Sequence, residues 1–147
     1  MFLPLEKKNF KIILASKSPR RQFLMKEMGL DFEVVTKDVD ETYPPNFQGE
    51  EVAIYLSRKN AFAFSEPISN NALIITADTI VWIDGKALNK PSTETEAKEM
   101  LRTLSGRVHE VYTGVTLKSN LKIRSFSVMT KVHFKNLSEE EIDFYTA

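Results

Sequence analysis

A basic turn between a predicted strand and a predicted helix carries the first recognisable chemistry in this sequence. Residues 11–15 form an apolar run typical of a buried strand, and Ser18 followed by Pro19 is typical of a helix start. Free backbone N–H groups and the helix dipole at such an end favour an anion. The turn also supplies two hydroxyls and three cations: Ser16, Ser18, Lys17, Arg20 and Arg21. It therefore predicts a phosphate site, although an ordinary strand–turn–helix with a solvated basic face would have the same residues.

Lys59 interrupts the apolar stripe of another predicted helix, Glu50–Phe64. Val52, Leu56 and Ala63 share its face at helical spacing, so the lysine side chain is directed toward the apolar side. Two interpretations have equal weight. The stem can be buried while the ammonium reaches water, or the ammonium can line a cleft and bind phosphate.

Asp78 lies in the middle of an otherwise apolar strand pattern, Leu73–Ile83. A buried carboxylate is costly unless it is paired, hydrogen-bonded or bound to a metal. The position therefore predicts a general base or metal ligand at the mouth of a cleft. The alternative is a bulge or turn residue at a strand end.

Two further sets of charged residues indicate a functional site less strongly. Asp38, Asp40 and Glu41 form an acidic cluster in a predicted loop, and such oxygen-rich clusters suit Mg²⁺, although most are simply solvated. Lys90 precedes Pro91 and a helix start, which places another cation near a helix N-terminus. Its alternative is an ordinary surface lysine.

The composition restricts the classes of protein that fit. A chain of 147 residues, 42% hydrophobic and 27% charged, is typical of one globular domain, which we expect to be cytoplasmic. The absence of cysteine excludes disulfides, thiolate metal sites and a cysteine nucleophile. Zero net charge argues against a broad nucleic-acid footprint but not against a small anionic ligand. No apolar run is long enough to span a membrane.

Strand and helix patterns alternate along the chain, which predicts an α/β or α+β fold with a mixed sheet. Asp84-Gly85 is a turn signal, and a capping box marks the start of the last helix. The remaining predicted elements are a helix at Pro19–Met28, a strand at Phe32–Thr36, a helix at Thr93–Leu104, strands at Val108–Leu117 and Leu121–Phe134, and a helix at Glu139–Ala147.

Four motifs occur in a characteristic order: Leu14-Ala-Ser-Lys-Ser-Pro-Arg-Arg21, Ala77-Asp-Thr-Ile80, Leu88-Asn-Lys-Pro91, and Leu104-Ser-Gly-Arg-Val-His109 through Tyr112-Thr-Gly114. Together they resemble the Maf family of nucleotide pyrophosphatases, over the chain from about Lys11 to its end. The resemblance implies a single domain, residues 1–147. It also implies an elongated mixed β-sheet flanked by helices, with two lobes around a cleft, similar to inosine triphosphate pyrophosphatases.

The resemblance also implies an activity and a site. The activity is hydrolysis of a nucleoside triphosphate to the monophosphate and pyrophosphate, with Mg²⁺ or Mn²⁺. Asp78 matches the proton acceptor, and Glu41, with Asp78, is assigned to the metal. Phosphate-binding and polar positions match Ser16, Arg20, Arg21, Lys59 and Lys90. Arg20 and Thr79 match positions linked to base specificity, in the form that resembles the branch acting on dTTP and UTP.

The family pattern continues with a Lys-Ala-Gly segment and a Gln-Gly turn, and this chain stops at Ala147, before both. The resemblance implies a homodimer with the nucleotide as substrate, while the charge and the short apolar runs lead us to expect neither nucleic acid nor membrane as partner. A rival hypothesis is a non-catalytic regulator of cell division that binds a nucleotide or nucleic acid. Such a protein would keep the cations but would not need Asp78.

Overall fold

A mixed sheet flanked by helices forms the body of the protein in a computed structural model that describes residues 11–64 and 71–147. The strands described are β1 (Lys11–Leu14), β2 (Phe32–Val34), β3 (Ala72–Ile83), β4 (Lys86–Leu88), β5 (Val108–Lys118) and β6 (Ile123–His133). The helices described are α1 (Pro19–Glu27), α2 (Glu50–Phe62), α3 (Glu94–Leu104) and α4 (Glu139–Thr146). Within these ranges no helix has the length and apolar character needed to cross a bilayer.

The strand order is β2-β1-β3-β5-β6, with β4 paired to β3. The β1 strand runs parallel to β2 and β3, and the other pairs are antiparallel, which confirms the predicted mixed sheet. The β1 strand ends at Leu14, opposite Ile75, and β4 begins to pair only at Val81. Within the described part of the chain, residues 76–80 of β3 therefore have β5 on one side and no strand on the other. This bare edge lies beyond the carboxyl end of β1, where open α/β sheets commonly bind ligands.

The α2 helix packs on one face of β3 and β5. Val52, Ala53 and Leu56 join Ile80 and Trp82 in one buried cluster. The helix backbone comes very close to β5, because a Cβ added at Gly114 would lie only 2.2 Å from the carbonyl oxygen of Ala53. Since Gly114 is the register partner of Asp78, this close approach lies directly beside the carboxylate.

Hydroxyl groups fix α2 to the sheet at a second point. The Ser57 and Thr116 hydroxyl oxygens lie 2.8 Å apart, and the Thr76 hydroxyl donates to the Ser57 carbonyl at 2.6 Å. All three residues are fully buried. The position of α2 over the bare edge of β3 is thus set by both packing and hydrogen bonding.

The predicted helix starts are confirmed. Ser18 accepts from the backbone N–H of Arg21 with Pro19 at the first helical positions, and Ser138 and Glu141 form the capping box of α4. One element was not predicted, because β4 has three residues and so shows no alternation. Asp84 and Gly85 both have positive φ, 55° and 72°, and they close β3 and β4 into a hairpin.

Candidate active site

A cleft of about 510 Å³ opens beside the bare edge of β3. The carboxyl end of β1, the start of α1, the loop that follows β2, and β3 itself form its walls. Five of the residues predicted for the site line it together: Ser16, Arg21, Glu41, Asp78 and Lys90. Residues 74 positions apart in the chain, Ser16 and Lys90, therefore contribute to one cavity.

The turn between β1 and α1 forms the basic end of this cleft. Ser16 is buried, and its hydroxyl accepts the Ser18 backbone N–H at 3.1 Å, while the Ser18 hydroxyl accepts the Arg21 backbone N–H at 3.3 Å. Lys17 forms an exposed ion pair with Asp38 across the opening, at 3.2 Å. The serines thus order the turn, and the start of α1 faces the cavity as the sequence predicts.

Arg21 crosses from α1 to the bare edge of β3. Its guanidinium donates to the Ala77 carbonyl at 3.3 Å and to the Thr79 hydroxyl at 2.8 Å. The Thr79 hydroxyl in turn lies 3.0 Å from that of Thr113 on β5. Because a guanidinium has five N–H donors in a rigid plane, Arg21 can be anchored by these contacts and still donate to a phosphate.

Asp78 has the chemistry expected of a general base. Burial and, after it, the nearby negative charge of Glu41 raise the pKa of the Asp78 carboxyl to about 6, against the opposing effects of Arg21 and the Thr79 backbone N–H. A carboxylate with a pKa near 6 is ionised at neutral pH and is a stronger proton acceptor than an ordinary aspartate. The carboxylate that interrupts the apolar strand pattern therefore lines the cleft with a raised pKa.

Two of the carboxylates that line the cleft, Glu41 and Asp78, are candidate donors for a metal ion, and the third, Asp38, pairs with Lys17. Residues 11–64 and 71–147 contain no cluster of three or more His, Asp or Glu side chains that could hold one. Glu41 and Asp78 nevertheless line the same cavity and repel each other, and a divalent cation would relieve that repulsion. Since Mg²⁺ commonly binds one or two carboxylates and completes its shell with water and substrate phosphates, this pair fits such an ion.

Three predicted site residues do not line the cleft. Arg20 and Thr79 lie in a second groove of about 870 Å³ with mainly apolar walls, which Arg21 also borders. Lys59 reaches the loop after β2, where its ammonium is 2.6 Å from an Asp40 oxygen. That hydrogen bond holds the pKa of the Asp40 carboxyl far below its usual range. The assignments of Arg20 and Thr79 to base specificity stay predictions.

The structure also adds residues to the cleft that sequence reasoning missed. Lys37 and Asn60 line it, and Lys37 donates to the Ala63 carbonyl at 3.3 Å, at the end of α2. Neither residue has a sequence signal, because a lone lysine in a loop and an asparagine on a helix are ordinary surface residues. Asp38, which was predicted only as part of an acidic cluster, lines the cleft as well.

This chain is similar to a described protein family and to named relatives. Residues 11–147 match the family model for Maf-like proteins. A Bacteroides fragilis protein named dTTP/UTP pyrophosphatase is 49% identical over 137 residues, which span 92% of this chain and 71% of that protein. A Bacteroides thetaiotaomicron protein of the same name is 50% identical over 137 residues, with the same coverage of both chains.

A solved structure supports the fold alone. The Staphylococcus aureus Ham1 protein superposes with a TM-score of 0.56 and 17% sequence identity, over 84% of this chain and 71% of that one. At this identity the likeness concerns the arrangement of strands and helices, and it agrees with the mixed sheet described above.

Proposed function

The chain belongs to the Maf-like protein family, and we propose that it hydrolyses dTTP and UTP to the nucleoside monophosphate and pyrophosphate. The observation that carries the proposal is the pairing of a raised-pKa carboxylate, Asp78, with the cations Arg21 and Lys90 in one cleft. The substrate class comes from the relatives named dTTP/UTP pyrophosphatase, which this chain matches over 71% of their length.

The proposed mechanism uses residues that line the cleft. Arg21 and Lys90 bind and orient the phosphates and offset charge that develops on them, while the N-terminal end of α1 adds backbone N–H groups. Asp78 accepts a proton from the attacking water. The bond between the α- and β-phosphates breaks, water supplies the oxygen of the new phosphate group, and pyrophosphate leaves.

We include a divalent cation, Mg²⁺ or Mn²⁺, in the proposal. Glu41 and Asp78 would hold it, and when bound it would supply charge neutralisation and favour ionisation of water. Both roles assigned to Asp78, metal ligand and proton acceptor, need the ionised carboxylate. The proposed setting is the cytoplasm, and the homodimer implied by the family resemblance stays a prediction.

The first prediction concerns the substrate. Pyrophosphate release should be fastest from dTTP and UTP, with kcat/KM about tenfold or more above that for ATP or GTP, as one well-shaped base pocket can discriminate. Release should stop when EDTA removes the divalent cation. The measurement is a panel of triphosphates with and without Mg²⁺. A purine triphosphate as the best substrate would contradict the branch, and nucleotide binding without any turnover would favour the regulator.

The second prediction concerns phosphate binding. Arg21→Ala should weaken binding of UTP by about tenfold to a hundredfold and leave uridine binding little changed, because only the triphosphate loses a charge-assisted hydrogen bond. Calorimetry with UTP and uridine, in EDTA to prevent turnover, measures both. Arg124→Ala, an exposed residue of β6 outside the cleft, is the matched control. Equal losses for both ligands would mean that Arg21 supports the fold and not the phosphate site.

A further inference from the structure

We propose that Lys59 is a positioning residue that fixes the loop carrying Glu41 over the cleft, and that it does not bind the substrate phosphates. The consequence for turnover rests on the proposed function. The contact itself concerns α2 and the loop that follows β2, and it can be tested without substrate.

The contacts of the ammonium group are specific to two loop residues. Lys59 Nζ lies 2.6 Å from Asp40 Oδ1, 3.0 Å from the Thr42 carbonyl oxygen and 3.2 Å from Thr42 Oγ1. These two residues immediately flank Glu41 in the chain. The lysine therefore holds the loop on both sides of the carboxylate that lines the cleft.

The donor capacity of lysine makes this arrangement exclusive. An ammonium has three N–H donors and accepts no hydrogen bond. The three oxygens of Asp40 and Thr42 match that number, so a phosphate could bind Lys59 only by displacing one of them. The side chain of Lys59 is also only 23% exposed, and the residue does not line the cleft.

Hydrogen bonds within the loop order its backbone, and the contacts of Lys59 add to them. Asp40 Oδ1 accepts the Thr42 backbone N–H at 3.0 Å and also bonds the Thr42 hydroxyl. Residues 36–49 lie outside the strands and helices that the structure describes, so contacts of this kind help to determine where Glu41 lies. Lys59, like Lys37, links the loop to a rigid element, because α2 is fixed to β5 by the Ser57–Thr116 hydroxyl pair and to β3 by the bond from the Thr76 hydroxyl to the Ser57 carbonyl.

The experiment compares Lys59→Met, Asp40→Asn and the double variant with the unchanged chain. If Lys59 positions the loop, both single variants should lower kcat for UTP, by about tenfold to a hundredfold for Lys59→Met, because small displacements at an active site have effects of this size. KM should change less than threefold. The double variant should be no worse than Lys59→Met, since the two residues act through one contact.

The opposite result has a different kinetic signature. A phosphate-binding Lys59 would raise KM for UTP in Lys59→Met, whereas Asp40→Asn would leave KM unchanged or lower it by releasing the ammonium. That outcome would overturn the proposal. Lys122→Met, an exposed position in the β5–β6 turn, removes the same charge outside the cleft and should leave kcat and KM unchanged.

Hydrogen–deuterium exchange of peptides covering residues 36–48 tests the contact without substrate. Both single variants should speed exchange in this loop and leave β3 and β5 protected. Unchanged exchange in both would overturn the proposal even if activity fell. If the unchanged chain hydrolyses no triphosphate, the proposed function fails, and the exchange result still decides whether Lys59 holds the loop.

Discussion

Asp78→Asn is expected to lower kcat by about a hundredfold or more, and to leave the fold and much of the UTP affinity intact. The amide has the shape of the carboxylate, but it cannot accept the proton of water or offer a negative charge to a cation. Steady-state release of pyrophosphate and calorimetry with UTP measure the two effects. Asp31→Asn, an exposed aspartate outside the cleft, is the matched control. Turnover by Asp78→Asn at the unchanged rate would exclude both roles of Asp78.

The pH dependence of activity follows from the same carboxyl. The pKa of Asp78 is raised to about 6 in the chain without a cation, so at limiting Mg²⁺ kcat/KM should fall as the pH falls through 6, where the protonated carboxyl can neither bind the cation nor accept a proton. If Asp78 had the pKa of an ordinary aspartate, the enzyme would keep its kcat/KM down to about pH 4. The residual activity of Asp78→Asn should lack this acid limb.

Stability should change in the opposite direction with pH. The folded chain binds the Asp78 proton more tightly than the unfolded chain, so the folded state holds more protons between about pH 4 and pH 6. The contribution of Asp78 to the free energy of unfolding therefore falls as pH rises through that window. Urea unfolding at pH 5 and pH 8 should show Asp78→Asn gaining stability relative to the unchanged chain at the higher pH.

Gly114→Ala is expected to have the largest effect on stability. The added Cβ would lie 2.2 Å from the Ala53 carbonyl oxygen and 2.4 Å from its carbon, and backbone atoms cannot turn away as a flexible side chain can. Helix α2 would have to move off β5, which opens the core around Val52 and Leu56. We expect the free energy of unfolding to fall by about 3 kcal/mol or more, as for severe overpacking. Urea unfolding monitored by circular dichroism measures it.

A second glycine separates crowding from backbone strain. Gly29 has a φ of +74° and no atom within 4 Å of an added Cβ, so Gly29→Ala should cost only the left-handed conformation, about 1–2 kcal/mol. Gly114 has no positive φ, so its cost comes from contact alone. An equal loss in the two variants would contradict the close packing of α2 on β5.

The sequence by itself was sufficient for most of the local structure and for the anomalies that indicated a site. Helix starts were predictable because Ser18 and Ser138 accept hydrogen bonds from residues only three positions away. Asp78 was conspicuous because it interrupts an apolar strand pattern, and such a pattern can be recognised from neighbouring residues alone. The β4 strand escaped prediction because three residues are too few to show a period.

The tertiary structure decided which charged side chains face the cleft. Arg20 and Arg21 are neighbours in sequence, yet only Arg21 lines the cavity, and its bond to Thr79 joins residues 58 positions apart. Whether the Lys59 ammonium would meet water or a cleft was equally open from the sequence. The fold directs it to Asp40, because the loop after β2 passes over the end of α2. The sequence determines which residues carry charge. The bare edge of β3 exists only in the folded sheet, because β1 ends beside Ile75.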